Sequence, residues 1–183
     1  LLRRTRAGMS QRLRPPGAGP EPAFLAACIR CGQCVEACPD DVLRPADIGS
    51  GLAAGTPYWV AREKPCNLCQ GRRWMECIAA CPTGALAPLC DRRRVRMGLA
   101  VVDPRLCLPW NGVACKACWH ACPFPDDAIR LNQRGRPVVI EEGCVGCGLC
   151  EYACLTDVPA IRVRPRRQGS PRAVPSPGVT QSK

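Results

Sequence analysis

Apolar positions in this chain gather in four short runs rich in β-branched residues: "LAVV" at 99–102, "AIRL" at 128–131, "PVVI" at 137–140 and "AIRV" at 160–163. Each has the length and composition of a short strand. They fall into two matched sets. "LAVVDPRLC" leads into a loop that leaves through "DDAIRLN", and "PVVIEEGC" leads into another that leaves through "VPAIRVR". Each set predicts a strand, a cysteine-bearing loop, a short helical turn and a second strand, the two strands pairing as a hairpin beside the loop. Gly135 and Pro137 in "RGRP" punctuate the junction between sets. Upstream, 41–65 is a longer connection in which Tyr58, Trp59 and Val60 can form one more short strand.

Outside these runs the pattern fades. Residues 1–23 are rich in Arg, Pro and Gly and carry no apolar period, which predicts an extended basic arm. Residues 165–183, "PRRQGSPRAVPSPGVTQSK", have the composition of a disordered tail. The organised core is expected at 24–164. No stretch of about twenty apolar residues is present, so no helix long enough to span a membrane is expected. The first residue is Leu1, so a segment is expected to precede it; "RRTRAG" at 3–8 has a twin arginine but not the apolar run of an export signal.

Cysteine changes this picture most. The chain has 17 Cys among 183 residues, with only 4% aromatics. An apolar core is then thin, and the usual supplements are disulfides or metal. Sixteen cysteines form four runs: Cys28, Cys31, Cys34, Cys38; Cys66, Cys69, Cys77, Cys81; Cys107, Cys115, Cys118, Cys122; and Cys144, Cys147, Cys150, Cys154. Proline follows the first three runs and Leu155 follows the last. Runs one and four are C-x2-C-x2-C-x3-C; runs two and three each contain a seven-residue spacer, in mirrored positions. Three thiolates on such a loop take three corners of one cubane, and the fourth, a helical turn onward, serves a different cluster, as in bacterial ferredoxins. Zinc is normally held by two separated C-x2-C pairs and leaves the third and fourth thiols of each run unexplained. A disulfide scaffold fits poorly with an odd count and with thiols three residues apart. The expected fold is therefore α+β: a tandem ferredoxin-like core of short strands, cysteine loops and short helices around four [4Fe–4S] clusters, with all sixteen cysteines as iron ligands.

Pairing of the runs follows less directly. Their matched shapes favour run one with run four and run two with run three. The ligand sets would then be Cys28, Cys31, Cys34 and Cys154; Cys144, Cys147, Cys150 and Cys38; Cys66, Cys69, Cys77 and Cys122; and Cys107, Cys115, Cys118 and Cys81. Sequential pairing, run one with run two, is the rival. Cys90 is left over and reads as a free thiol. His120, between two ligands, reads as a neighbouring or surface residue, and Trp59, Trp74, Trp110 and Trp119 as shields that keep water from the clusters. Arg92, Arg93 and Arg94 read as a solvated surface, with docking to an acidic redox partner as the sharper alternative.

The formal charge is +11, which raises nucleic-acid binding as a further alternative. Four four-thiolate clusters would add roughly −8, so much of the basic excess is read as compensation for cluster charge, and no nucleic acid is expected. No nucleophile with a paired base, dinucleotide fingerprint or open-iron C-x3-C-x2-C triad is visible, so the expectation is an electron-transfer subunit rather than an enzyme.

Beyond the cysteines, "RPPGA", "FLAACIRCGQCVEACP", "GTPYWVAREKPC", "CPTGAL", "RMGLAVVD" and "GCGLCEYAC" with "AIRV" resemble the NapG/MauM group of ferredoxin-type proteins, from about residue 14 to 164. The resemblance implies a periplasmic four-cluster carrier, peripheral to the membrane. Such a protein takes electrons from a polytopic membrane ferredoxin that oxidises quinol and passes them to a soluble acceptor. That acceptor is periplasmic nitrate reductase in one branch, and a methylamine-oxidation system is served in the other. The alternatives are the iron–sulfur subunit of a molybdopterin oxidoreductase or hydrogenase, and a cytoplasmic location.

Overall fold

A computed structural model of the chain describes residues 12–166. The expectations for the twin arginine, for the arm before residue 12 and for the tail beyond 166 lie outside the described residues.

The elements are short because the cysteines come so often. Four one-turn helices share one design: α2 Gln33–Glu36, α3 Glu76–Ala79, α4 Ala117–His120 and α5 Leu149–Tyr152. Each has the third cysteine of its run at its second position, and each ends on an alanine cap, Ala37, Ala80, Ala121 or Ala153, directly before the fourth cysteine. The longest described helix, α1 Glu21–Ala27, precedes the first run and has Pro22 in its first turn, where its missing N–H costs no helical bond.

The strands are β1 Arg44–Pro45, β2 Pro57–Tyr58, β3 Leu99–Val102, β4 Ile129–Leu131, β5 Pro137–Val139 and β6 Ile161–Arg164. They form three antiparallel pairs: β1 with β2, β3 with β6, and β4 with β5. The strands do not pair within each repeat, as the sequence suggests. The first strand of one repeat pairs with the last strand of the other, and the two inner strands pair across "RGRP". Val102 lies opposite Ile161, so the loop that starts the third cysteine run meets the loop that ends the fourth. The core strands alternate in burial, β6 reading buried, exposed, buried, exposed, as a half-covered ribbon requires.

Residues 12–23 are not an extended arm. Leu13 bridges Trp59, Ala18 bridges Leu86, and Leu13, Arg14 and Phe24 are buried. The Arg14 guanidinium binds the Glu21 carboxylate, donates to Thr56 Oγ1 at 2.9 Å and Pro57 O at 2.8 Å, and lies over the Phe24 ring. Trp59 Nε1 donates to Arg14 O at 3.2 Å. A buried guanidinium satisfied on every side is a specific joint, and it closes the first half of the molecule as the β3–β6 ribbon closes the second.

The halves meet near Cys66 and Cys147. Cys66 N–H donates to Cys147 O at 2.9 Å. Arg62 reaches across and donates to the carbonyls of Glu151, Tyr152, Cys154 and Thr156. Gly148 has φ +83°, and a Cβ there would come within 2.8 Å of the Trp59 ring; glycine gives both the left-handed turn and the close approach.

Candidate functional site

Each one-turn helix carries its third thiol into one cavity and hands its fourth to the cavity next door. Four cavities result. Cys28, Cys31, Cys34 and Cys81 line the first, here the Cys31 cavity. Cys38, Cys66, Cys69 and Cys77 line the Cys66 cavity. Cys107, Cys115, Cys118 and Cys154 line the Cys115 cavity, and Cys122, Cys144, Cys147 and Cys150 line the Cys147 cavity. Each is about 370–400 Å³ with its open mouth included, and its other walls are almost wholly apolar.

The sixteen cysteines are thus brought together in fours, but not in the fours that run shape suggests. Cys154 joins Cys107, Cys115 and Cys118 rather than Cys28, Cys31 and Cys34. Cys38 joins Cys66, Cys69 and Cys77 rather than the fourth run. Cys81 completes the first run's set, and Cys122 the fourth's. Pairing is sequential, run one with run two and run three with run four. The cause is the strand register: β3–β6 and β4–β5 clamp runs three and four together, and α2 packs on α3 as α4 packs on α5. The seven-residue spacers are local excursions with no bearing on pairing. One holds exposed Arg72, Arg73 and Trp74, and the other forms the 3-10 turn Leu108–Asn111.

Thiol chemistry tests whether such cavities suit an iron–sulfur cluster. Burial pushes Cys34 up to about 11, with Cys28, Cys31 and Cys81 adding to the rise. It pushes Cys77 up to about 12, with Cys69, Cys38 and Cys34 adding to the rise, and Cys118 up to about 11, with Cys107 and Cys115. Four thiolates gathered in an apolar cavity repel one another, and only a cationic core makes the deprotonated set stable. In each cavity four thiols ring a volume, the donor set that a cubane takes.

Two sulfurs stand apart. At Cys154 burial acts upward, but the Thr156 hydroxyl and the N–H groups of Thr156, Ala160 and Ile161 together outweigh it, and the thiol falls below its ordinary value. Cys81 behaves likewise, with donors from Leu86, Thr83 and Ala85. Both are fourth cysteines followed two residues later by Thr. Further N–H···S contacts reach Cys38 from Val42 at 3.4 Å and Cys144 from Ala100 at 3.5 Å. Such donors stabilise added negative charge on a cluster.

The remaining candidates lie outside the cavities. Cys90 is exposed and lines none of the four. His120 is exposed and meets the Trp119 ring edge-on. Of the four tryptophans expected as shields, Trp59 is buried and walls the Cys66 cavity. Trp74 is 57% exposed, Trp110 lies beneath Arg136, and Trp119 donates to Asp126; none of these three lines a cavity. Arg92 donates to Leu68 O, Cys69 O and Arg72 O, tying down the second cysteine loop, and Arg93 pairs with Asp127 over the Phe124 ring. Arg92 is therefore tied into the fold, while Arg93 and Arg94 lie at the surface. Sequence reasoning missed Arg14 and Arg62 and the internal role of Arg92: Arg62 and Arg92 bind backbone carbonyls far along the chain, and Arg14 joins Glu21 to Thr56 and Pro57.

Comparison with known proteins agrees with this geometry. The "4Fe-4S dicluster domain" family matches residues 27–85, which hold runs one and two together. The "4Fe-4S binding domain" family matches 141–157, the fourth run. The chain is 45% identical to the ferredoxin-type protein NapG of Escherichia coli over 90% of its length and 75% of the relative's. It is 47% identical to the methylamine utilization ferredoxin-type protein MauM of Methylorubrum extorquens over 87% of its length and 76% of the relative's. NapF of Escherichia coli is more distant, at 29% over 79% of the chain. On these similarities, which reach both branches almost equally, the chain belongs to the NapG/MauM group of ferredoxin-type, [4Fe–4S] electron-transfer proteins.

Proposed function

We propose that this protein is a four-cluster relay, a tandem of two dicluster ferredoxin units, with the sixteen cysteines of the four runs as iron ligands. The observation that carries it is the sorting of those sixteen thiols into four cavities of four, with no thiol of any run left over. A [4Fe–4S] cluster supplies one-electron transfer and nothing else to such a site when all four irons are closed by thiolate. The chain's own residues then fix potentials and exclude water. Apolar walls disfavour added charge, while the donors around Cys81, Cys154, Cys38 and Cys144 favour it.

The role this supports is transfer from a membrane partner that oxidises quinol to a soluble acceptor, in the periplasm. The acceptor is a nitrate reductase of the kind NapG's branch serves, or a component of methylamine oxidation as for MauM. No helix among the described residues is long and apolar enough to cross a membrane. Nucleic-acid binding is disfavoured because Arg14, Arg62, Arg92 and Arg166 spend their donors on internal carbonyls and carboxylates.

The test is a stopped-flow and steady-state comparison on the purified, anaerobic chain. It is expected to accept electrons from a low-potential chemical donor, to show neither quinol oxidation nor nitrate reduction alone, and to be reduced by quinol only when a membrane fraction containing the partner is added. Quinol turnover by the chain alone would overturn the relay.

A further inference from the structure

We infer that electrons cross this molecule in single file: Cys31 cavity, Cys66 cavity, Cys147 cavity, Cys115 cavity, or the reverse. The crossing between halves is the peptide contact from Cys66 N–H to Cys147 O. This order rests on the four-cluster reading and adds what that reading leaves open, namely which cavities neighbour which.

Within each half the neighbours follow from the shared helices. α2 holds Cys34 in the Cys31 cavity and is followed by Cys38 in the Cys66 cavity; α3 holds Cys77 in the Cys66 cavity and is followed by Cys81 in the Cys31 cavity. α4 and α5 do the same for the Cys115 and Cys147 cavities. Between halves, the ligand-bearing residues that touch are Cys66 and Cys147, joined by a 2.9 Å hydrogen bond. Tunnelling decays exponentially with distance, and covalent and hydrogen-bonded links carry it further than gaps do. Two ligand residues sharing one hydrogen bond are therefore the natural bridge. The joint is held shut by Arg62 on four carbonyls of the far half, and is kept dry by Trp59, packed between the Cys66 cavity and Gly148.

The outer cavities are placed as ports. Cys31 is exposed, and Ile29 beside it is 61% exposed. At the opposite end Leu155, which follows Cys154 and walls the Cys115 cavity, is 71% exposed. Of the five buried cysteines, Cys69, Cys77, Cys144 and Cys147 are inner ligands, and Cys107 alone belongs to an outer cavity.

The experiment is electron paramagnetic resonance of the fully reduced full-length chain in two variants that each remove one outer cluster: Cys28→Ser with Cys31→Ser, and Cys115→Ser with Cys118→Ser. Each is expected to lower iron by about four per chain. In the first variant the cluster of the Cys66 cavity has lost its partner in its own half. It is expected to stay broadened by its neighbour across the joint, with no sharp isolated signal. In the second the same holds for the Cys147 cavity. A sharp, uncoupled signal of about one spin per chain in either variant would overturn the order. The two variants sit in different halves, so poor loading of one leaves the other to decide. Fewer than about sixteen irons in the unmutated chain would instead be a failure of the four-cluster reading.

Discussion

Cys154→Ala is expected to empty the cavity of Cys107, Cys115 and Cys118, lowering iron from about sixteen to about twelve per chain and leaving the Cys28, Cys31 and Cys34 site loaded. Cys154 lies 120 residues from Cys34 in sequence and 47 from Cys107, yet sequence alone does not choose between them. The structure does, by placing Cys154 in the wall of the Cys115 cavity beside Thr156 and Ala160. Losing one of four ligands exposes an iron, and this one is also the sulfur of its set that meets the Thr156 hydroxyl and the Ala160 N–H. The check is iron analysis with spectroscopy of the residual clusters, the Cys81→Ala variant serving as the mirror image: there the Cys31 cavity is the one expected to empty. Damage to the Cys31 cavity by Cys154→Ala would restore the crossed pairing and contradict the geometry.

The comparison of these two pairings shows where the sequence was legible. Cysteine spacing named the cluster loops because a cubane imposes a local constraint, three thiols on one short loop. "LAVV" and "AIRV" were recognisable as strands because β-branched residues in runs of four have few other uses. What joins which strand is a long-range matter. Val102 meets Ile161 across 59 residues, and no local pattern in either stretch records it. The mirrored spacers drew attention to a symmetry that packing ignores. The arm was misjudged for a related reason. Leu13, Arg14 and Phe24 have no period because each docks against a different part of the first half, Trp59, Glu21 and Thr56 among them. Arg62 and Arg92 were equally hidden, since a residue that binds backbone carbonyls leaves no complementary charge in the sequence.

Stripping the iron is expected to unfold the chain. The longest described helix has seven residues and the longest strands have four, lengths that are marginal in isolation. The large fully buried side chains are few, Trp59, Phe24, Leu68 and Val95 leading them, and the core they form is completed by cysteines such as Cys77, Cys144 and Cys147. Without iron the walls of four cavities face empty space, and the packing between α2 and α3 and between α4 and α5 loses its centre. Metal binding here is folding free energy, as in other small metal-dependent domains. Anaerobic treatment with a chelator and oxidant is therefore expected to abolish the tertiary circular dichroism of the whole chain, and iron with sulfide under reducing conditions to restore it. Retention of a native-like signal by the iron-free chain would show that the fold stands on its apolar core after all.

The central claim is that all four runs are loaded. It is tested most directly by iron and acid-labile sulfide per polypeptide in anaerobically purified protein. The expected result is about sixteen of each, with zinc absent. About eight of each, or zinc without labile sulfide in a folded chain, would contradict it.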